Sequence, residues 1–150
     1  MEMTDIMQVL EDMKVGIFAT IDKEGSPHSR PIHITAAREE GVFFMTSSET
    51  QFYQQLMGDE RVALTAFSEE DYLIQVIRIE GKARPAGLDL LEKVFADNPY
   101  VQHVYRDEES RKTMQIFQLY QGEGFYHSLT QGHKYSFRIQ DGEGATVHSV

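Results

Sequence analysis

The sequence predicts a mainly β protein, in which the strands form an antiparallel barrel or a strongly curled sheet with flanking helices. About six short segments rich in β-branched and aromatic residues are joined by tight turns, and closing such a sheet removes the exposed edges of its strands. Helical periodicity is confined to a few short segments between these strands. The chain has 150 residues, 41% of them hydrophobic, which suits one compact domain spanning 1–150.

The N-terminal segment 1–14 is predicted to be a short amphipathic helix, because Ile6, Leu10 and Met13 recur at helical spacing. The predicted strands follow in the order 15–21, 27–37, 42–46, 61–67, 72–85, 113–121, GFYHS at 124–128 and 133–139. Further helical segments are predicted at 48–57, at 87–98 and, as a short piece, within 100–112. The C-terminal segment 140–150 is predicted to fray.

The second helix carries a capping signal at its start. Ser48 is followed three residues later by Gln51, which resembles a capping box. Phe52 and Leu56 are one turn apart and predict an apolar face. We therefore expect this helix to begin near Ser48 and to pack on the sheet.

A proline interrupts the second predicted strand, PHSRPIHITAA. Pro31 has no N–H to donate to a neighbouring strand, so its strand must lie at an edge, contain a bulge or face a gap in the barrel at this point. A gap beside Arg30 would leave backbone groups free to meet a ligand.

Arg30 is the candidate anion-binding residue. If AREEG is a hairpin turn, the strand of Arg30 lies beside VFFMT, and Arg30 can reach the hydroxyls of Thr46, Ser47 and Ser48 at the start of the next helix. Such a group could bind a phosphate. The alternative is an ordinary capped helix with a surface arginine nearby.

Four segments taken in order resemble a known family: KVGIFATIDKEGSPHSRPIHI, GVFFMTSSE, QLMGDERVALTAF and RIEGKARP. Together they look like the pyridoxamine 5′-phosphate oxidase-like, FMN-binding split-barrel proteins, over roughly 4–85 and more loosely to 139. The resemblance implies a Greek-key, six-stranded antiparallel split barrel. It also implies a homodimer with FMN in two symmetric clefts at the interface.

The resemblance also assigns roles to individual residues. Arg30 and the Thr46-Ser47-Ser48 segment would hold the FMN phosphate. Residues of two further groups would line the flavin: Pro31, Ile32 and His33 from the same chain, and Gln115, Phe117 and Phe125-Tyr126-His127-Ser128 from the partner. Many family members carry a lysine or arginine in the helix after the Thr/Ser segment, whereas this chain has Phe52 there and no cation from 46 to 60. FAD, a deazaflavin or haem are therefore alternatives to FMN.

The histidines and the absence of cysteine bear on metal and catalytic sites. His28 and His33 are five residues apart and fall on opposite faces of a strand, and a site using His103, His127 or His133 has no recognisable ligand spacing, so no metal site is predicted. Zero cysteines exclude thiolate and iron–sulfur chemistry, so redox activity needs a bound cofactor. His127 is a candidate proton donor, with a buried structural histidine as the alternative.

The formal charge of −10 disfavours binding to nucleic acid or to anionic membranes. With no apolar run long enough to span a bilayer and an acidic N-terminus, a cytoplasmic protein is expected. The predicted function is an FMN-dependent oxidoreductase, either a flavin reductase or a pyridoxamine phosphate oxidase-like enzyme, that moves hydride or electrons between a nicotinamide donor and a small organic acceptor. The alternatives are a non-enzymatic flavin- or haem-binding split barrel and a dimeric scaffold without a site.

Overall fold

A computed structural model describes residues 1–96, 113–141 and 147–150. The helices are α1 (Met3–Met13), α2 (Gln51–Gly58) and α3 (Leu88–Val94). The strands are β1 (Val15–Ile21), β2 (Pro27–Arg38), β3 (Gly41–Ser47), β4 (Arg61–Glu70), β5 (Leu73–Pro85), β6 (Met114–Ser128), β7 (Lys134–Gln140) and β8 (Val147–Ser149). None of the helices in this part of the chain is long and apolar enough to cross a membrane.

The strands form a closed antiparallel barrel, which confirms the predicted fold class. They follow the order β3-β2-β1-β4-β5-β6-β7-β8, and an additional pairing of β3 with β6 closes the first six into a ring. β7 and β8 extend the sheet outward from β6. The fold is therefore a split barrel with an added two-stranded extension.

The barrel interior holds the main hydrophobic core. Phe18, Phe44 and Phe117 are wholly buried there, and α1 and α2 cover the barrel with apolar side chains such as Leu10 and Phe52. Phe44 stacks on Phe117 with ring centroids 5.8 Å apart. A smaller cluster around Phe43, on the other side of β3, contains Phe95 and is covered by Leu90 and Val94 of α3.

The opening in the barrel lies at Pro31. Residues 27–33 of β2 pair only with β1, and pairing with β3 begins at Ile34, next to a bulge before Ala36. The Ile34 N–H donates to the carbonyl oxygen of Lys14, the residue before β1, at 2.7 Å. Because backbone groups alternate between the two sides of an antiparallel strand, the backbone polar groups of His33 and Pro31 point away from β1. Of the three alternatives for Pro31, an edge, a bulge or a gap, the structure has a gap at Pro31 and a bulge farther along the strand.

Two boundaries differ from those expected. The N-cap of α2 is Thr50 and not Ser48, because the Thr50 hydroxyl accepts the Tyr53 N–H at 3.1 Å, as an N-cap side chain does. Part of the tail expected to fray is instead ordered, since Val147–Ser149 pairs with β7 as β8. The helical piece expected within 100–112 and the candidate His103 lie outside the described residues.

Candidate functional site

Arg30 lies on the inner side of β2, beneath α2, and all its hydrogen-bonding partners are neutral. Its Nη1 donates to Thr20 Oγ1 at 2.6 Å, and its Nη2 donates to Gln55 Oε1 at 2.7 Å. Nη1 also approaches the carbonyl oxygens of Phe18 and His28, each at 3.3 Å. The Thr20 hydroxyl donates to the same Gln55 oxygen at 2.6 Å, so the three side chains form one connected network.

Among the described residues, no carboxylate balances the charge of Arg30. Four of the five other described arginines form ion pairs, Arg38 with Glu11, Arg61 with Asp59, Arg84 with Asp141 and Arg138 with Glu123, and Arg78 is the exception. Within the described ranges, no carboxylate lies within ion-pair distance of Arg30. In a chain whose net charge is −10, a half-buried guanidinium with only neutral acceptors stands out as a potential site for an anionic ligand.

Burial acts on Arg30 in the direction expected for an uncompensated cation. Desolvation by burial lowers the pKa of its guanidinium below the usual value for arginine, with no opposing contribution from an anion among the described residues. The group stays protonated at neutral pH because an arginine pKa begins so high. An anion bound here would therefore meet a full positive charge.

The ring of Phe52 in α2 packs against the Arg30 guanidinium. The Arg30 guanidinium carbon lies 4.5 Å from the centroid of the Phe52 ring, which also packs against Phe18 and Phe44. Phe52 is only 4% exposed. The position at which related proteins are expected to carry a second cation is thus filled by an aromatic ring that contacts the first one.

The start of α2 carries a second group of polar atoms. Thr46 and Thr50 share a hydrogen bond of 2.7 Å between their hydroxyls, and Thr50 also donates to Ser47 O at 2.9 Å. Ser47 Oγ accepts the Glu49 N–H, and the Ser48 N–H donates to Thr113 O. These hydroxyls organise the turn into α2, whereas Arg30 contacts the helix farther along, at Phe52 and Gln55.

The residues that follow Arg30 are divided between two faces of β2. Ile32 shares the inner side with Arg30, and Pro31 and His33 are exposed on the outer side, opposite Ile17 and Val15 of β1. The backbone edges of Pro31 and His33 face the opening described above. A ligand at the gap would therefore meet backbone groups of this segment and not a continuous row of side chains.

Gln115 and Phe117, two of the β6 residues expected at the flavin, have different surroundings. Phe117 is wholly buried, with Phe44 and Tyr53 against its ring, so within this chain it is a core residue. Gln115 pairs with Thr46 in the β3–β6 ladder, which places it beside the start of α2 within the same chain. It therefore reaches the polar group at α2 without a partner subunit.

His127 lies far from Gln115 on the same strand. The two are twelve positions apart, near opposite ends of β6, which is about 40 Å of contour for an extended strand. His127 pairs with Val76 and Lys134 and is half-buried. No group of three or more His, Asp or Glu side chains suited to a metal ion is found in the described ranges.

The sequence reasoning missed Thr20 and Gln55, the two side chains that hold Arg30. Thr20 is 1% exposed and Gln55 is 9% exposed. A signal for Thr20 was present, because it occupies an inward position of the alternating strand VGIFATI, where an unpaired hydroxyl would be costly. For Gln55, no pattern in the helix sequence indicated that its side chain would be buried.

Comparisons with known proteins agree with this architecture. Residues 3–124 match the family model described as pyridoxamine 5′-phosphate oxidase. The pyridoxine/pyridoxamine 5′-phosphate oxidase of Haemophilus influenzae is 34% identical over 97 residues, which cover 65% of this chain and 45% of that protein. The match thus spans less than half the length of this relative.

Two solved structures share the fold at low sequence identity. PhzG from Burkholderia lata, solved with tetrahydrophenazine-1-carboxylic acid, superposes with a TM-score of 0.66 at 17% identity, covering 97% of this chain and 87% of PhzG. HutZ, the haem storage protein of Vibrio cholerae, superposes with a TM-score of 0.60 at 18% identity, covering 80% of this chain and 90% of HutZ. At these identities the likeness concerns the fold alone.

Proposed function

The chain belongs to the pyridoxamine 5′-phosphate oxidase family, and on that basis we propose that it is an FMN-dependent oxidoreductase acting on a small organic molecule. The observation that carries this proposal is the uncompensated charge of Arg30 beside the opening in β2. A half-buried cation without an acidic partner is suited to a phosphate. A pyridoxamine 5′-phosphate oxidase-related protein of the same fold that is described as FMN-binding supports this choice of cofactor.

The residues present fit a flavin phosphate in two respects. Arg30 offers a guanidinium held by neutral neighbours, and Thr46, Ser47 and Ser48 offer hydroxyl and backbone groups at the start of α2. Bound FMN would supply the hydride or electron transfer, for which no protein nucleophile is needed. The protein would bind the phosphate and expose the backbone at Pro31 and His33 to the ring.

A homodimer would complete this site. The outer face of the sheet carries exposed apolar side chains, among them Val15 at 47%, Ile17 at 46% and Phe67 at 69% exposure. A two-fold partner covering this face would meet the exposed edge at Pro31. We propose that the FMN cleft forms there, between two copies of this chain.

The test compares two flavins that differ only in the phosphate. Purified protein is titrated with FMN and with riboflavin, and binding is followed by flavin fluorescence and by the unfolding midpoint. We expect FMN to bind at least about tenfold more tightly than riboflavin, and Arg30→Ala to abolish that preference. Arg138→Ala, which removes an exposed paired arginine, serves as the control and should preserve it.

A non-enzymatic flavin- or haem-binding protein is the second candidate, favoured by one observation. Phe52 occupies the position of the expected second cation, which weakens the case for a tightly held phosphate. The likeness to HutZ, described as a haem storage protein, shows that this fold accompanies such a role elsewhere. If NADH or NADPH reduces the bound flavin and an acceptor reoxidises it, the result supports the enzyme. Ligand binding without turnover supports the second candidate.

A further inference from the structure

A recess lies between α2 and the turn that joins β1 to β2. One face of α2 forms its helix wall, where Gln51, Gln54, Gln55 and Gly58 recur at helical spacing. The recess has a volume of about 310 Å³. Liquid water would fill that volume with about ten molecules, so one small organic ring with its substituents fits. We call it the α2 recess.

The α2 recess is separate from the opening proposed for the flavin. Its turn wall includes Asp22, whose carboxylate is hydrogen-bonded to His28 near the start of β2. From His28, β2 runs through Arg30 to the opening at Pro31. The recess and the opening therefore lie on opposite sides of Arg30 along this strand.

The side-chain amide of Gln55 has a fixed orientation. Its Oε1 accepts hydrogen bonds from Arg30 Nη2 at 2.7 Å and from Thr20 Oγ1 at 2.6 Å. A guanidinium can only donate, so the amide oxygen and not the amide nitrogen must face Arg30. The nitrogen is thereby turned away from this network, and none of the described residues accepts either of its N–H groups.

The unpartnered nitrogen of Gln55 is accessible from the surface. Gln55 as a whole is only 9% exposed, but within the described ranges no fully buried side-chain nitrogen or oxygen lacks a partner. The amide nitrogen must therefore retain some exposure, and the α2 recess is the cavity that Gln55 lines. A ligand with an acceptor atom there would satisfy a largely buried donor.

Two carboxylates complete the polar lining of the α2 recess. A hydrogen bond from His28 lowers the pKa of Asp22, and hydrogen bonds from Arg61 lower the pKa of Asp59 to about 2. Both carboxylates are therefore ionised at neutral pH. Among the described residues, Asp22 Oδ2 has His28 as its single partner, which leaves a lone pair available. Lys23 is the one cation in the lining.

These groups restrict the chemistry of a ligand. Two carboxylates against one ammonium group disfavour an anion. A bare cation could meet the carboxylates but would leave the Gln55 N–H groups without an acceptor. No aromatic side chain lines the recess, so a planar base would find no ring to stack on. Hydroxyl groups both accept and donate, so several hydroxyls on one neutral molecule satisfy the amide and the carboxylates together.

We therefore propose that the α2 recess binds a neutral polyhydroxylated molecule of about the size of a monosaccharide. One hydroxyl oxygen accepts from Gln55 Nε2, and other hydroxyls donate to Asp22 and Asp59. Gln51 and Gln54, which are exposed on the same helix wall, supply further amide contacts. The proposal does not rest on flavin binding and stands whether or not FMN binds at Arg30.

The test follows the side-chain amide resonances of Gln55 in the full chain by two-dimensional nitrogen–proton NMR, without flavin. The probes are D-glucose, D-ribose and myo-inositol, with tetrahydropyran as a ring that lacks hydroxyls and D-glucuronate as an anionic sugar. We expect at least one polyol to shift these resonances with a dissociation constant on the order of 1 mM. Tetrahydropyran should have no effect, and glucuronate should bind more weakly than glucose.

A first pair of variants tests the amide donor. Gln55→Glu keeps an oxygen facing Arg30 but removes the N–H groups, so it should weaken polyol binding about five- to tenfold, as read from the backbone N–H of Gly58. Gln131→Glu adds the same charge at an exposed position outside the recess and should leave binding unchanged.

A second pair of variants tests the space. A Cβ at Gly58 would meet no atom within 4 Å, so a larger side chain has room to enter the recess. Gly58→Leu should abolish polyol binding without lowering the unfolding midpoint, because leucine is a better helix former than glycine. Gly58→Ala leaves most of the space open and should bind the polyol almost as the wild type does.

Four results would overturn the proposal. In the first, none of the polyols shifts the Gln55 resonances. In the second, tetrahydropyran or glucuronate binds as tightly as the polyols, and in the third, polyol binding survives both Gln55→Glu and Gly58→Leu. In the fourth, FMN displaces the polyol, which would place it in the flavin site. Failure of FMN to bind, with polyol binding intact, contradicts only the proposed function.

Discussion

The guanidinium carbon of Arg30 lies 4.5 Å above the ring of Phe52, and the same guanidinium donates to Gln55 one helical turn farther along α2. One cation thus bridges β2 and the covering helix through an aromatic face and an amide oxygen, both of them neutral. This arrangement orients the guanidinium without cancelling its charge. Substitutions of Gln55 and of Phe52 should therefore have different effects on ligand binding and on stability.

Gln55→Glu should weaken FMN binding about tenfold or more while riboflavin binding stays unchanged. The new carboxylate would sit 2.7 Å from Arg30 Nη2, where the amide oxygen is now, and would compete with the phosphate for the guanidinium. Fluorescence titration with both flavins measures the change. Equal weakening for FMN and riboflavin would instead indicate that the helix had moved.

Phe52→Leu should lower the free energy of unfolding by about 1–3 kcal/mol, because it removes the cation–π contact and the aromatic packing with Phe18 and Phe44. The preference for FMN over riboflavin should survive, since Thr20 and Gln55 still hold Arg30. Urea unfolding and the two-flavin titration give the two readouts. Loss of the preference with normal stability would make Phe52 part of the phosphate site.

Much of the fold follows from local sequence patterns. Alternation in VGIFATI and the aromatic run in VFFMT specify buried strands. Pro31 limits its position to an edge, a bulge or a gap, because its missing N–H can lie only where no partner strand needs it. These features depend on chemistry within a few residues. They were therefore accessible without tertiary information.

The contents of the site depend on register and helix rotation, which local patterns do not fix. Thr20 meets Arg30 only because β1 and β2 pair with Phe18 opposite Arg30, and Gln55 joins them because α2 turns that face inward. The segment TSSET offers several capping residues, and the hydrogen bond from Tyr53 selects Thr50. The burial of Phe117 likewise depends on β6 closing the barrel against β3, which no local pattern shows.

Gly124→Ala should destabilise the protein by about 1–3 kcal/mol. Gly124 pairs with Phe137 across β6 and β7, and a Cβ at this position would clash with the Phe137 ring, which is 3% exposed and belongs to the core. Gly58→Ala, at the end of α2 where a Cβ meets open space, is the matched control and should be neutral or stabilising by about 0.5 kcal/mol. Thermal unfolding of both variants compares them directly, and equal midpoints would contradict the packing argument.

Asp59→Asn should reduce stability at pH 5, and this effect should be largely lost near pH 2. Hydrogen bonds from the Arg61 side chain and backbone lower the pKa of Asp59 from 3.8 to about 2. Because the folded-state value is depressed, the stabilisation is present above about pH 4 and is lost as the pH falls toward 2. Chemical unfolding of both proteins between pH 2 and 5 tests this; the difference should be small, since the pair is exposed to solvent.

Tyr72→Gly should raise the free energy of unfolding by about 1 kcal/mol, although it deletes an aromatic ring. Asp71 and Tyr72 connect β4 to β5 with φ angles of 49° and 67°, the left-handed region in which a Cβ is unfavourable and glycine is not. Tyr72 is 87% exposed, so its ring contributes little packing, and Thr130 holds the turn through the Tyr72 carbonyl at 2.6 Å, a contact that glycine retains. Tyr72→Ala loses the same ring but keeps the Cβ, so it should show no gain; a similar rise in both variants would place the effect in the ring and not in the backbone.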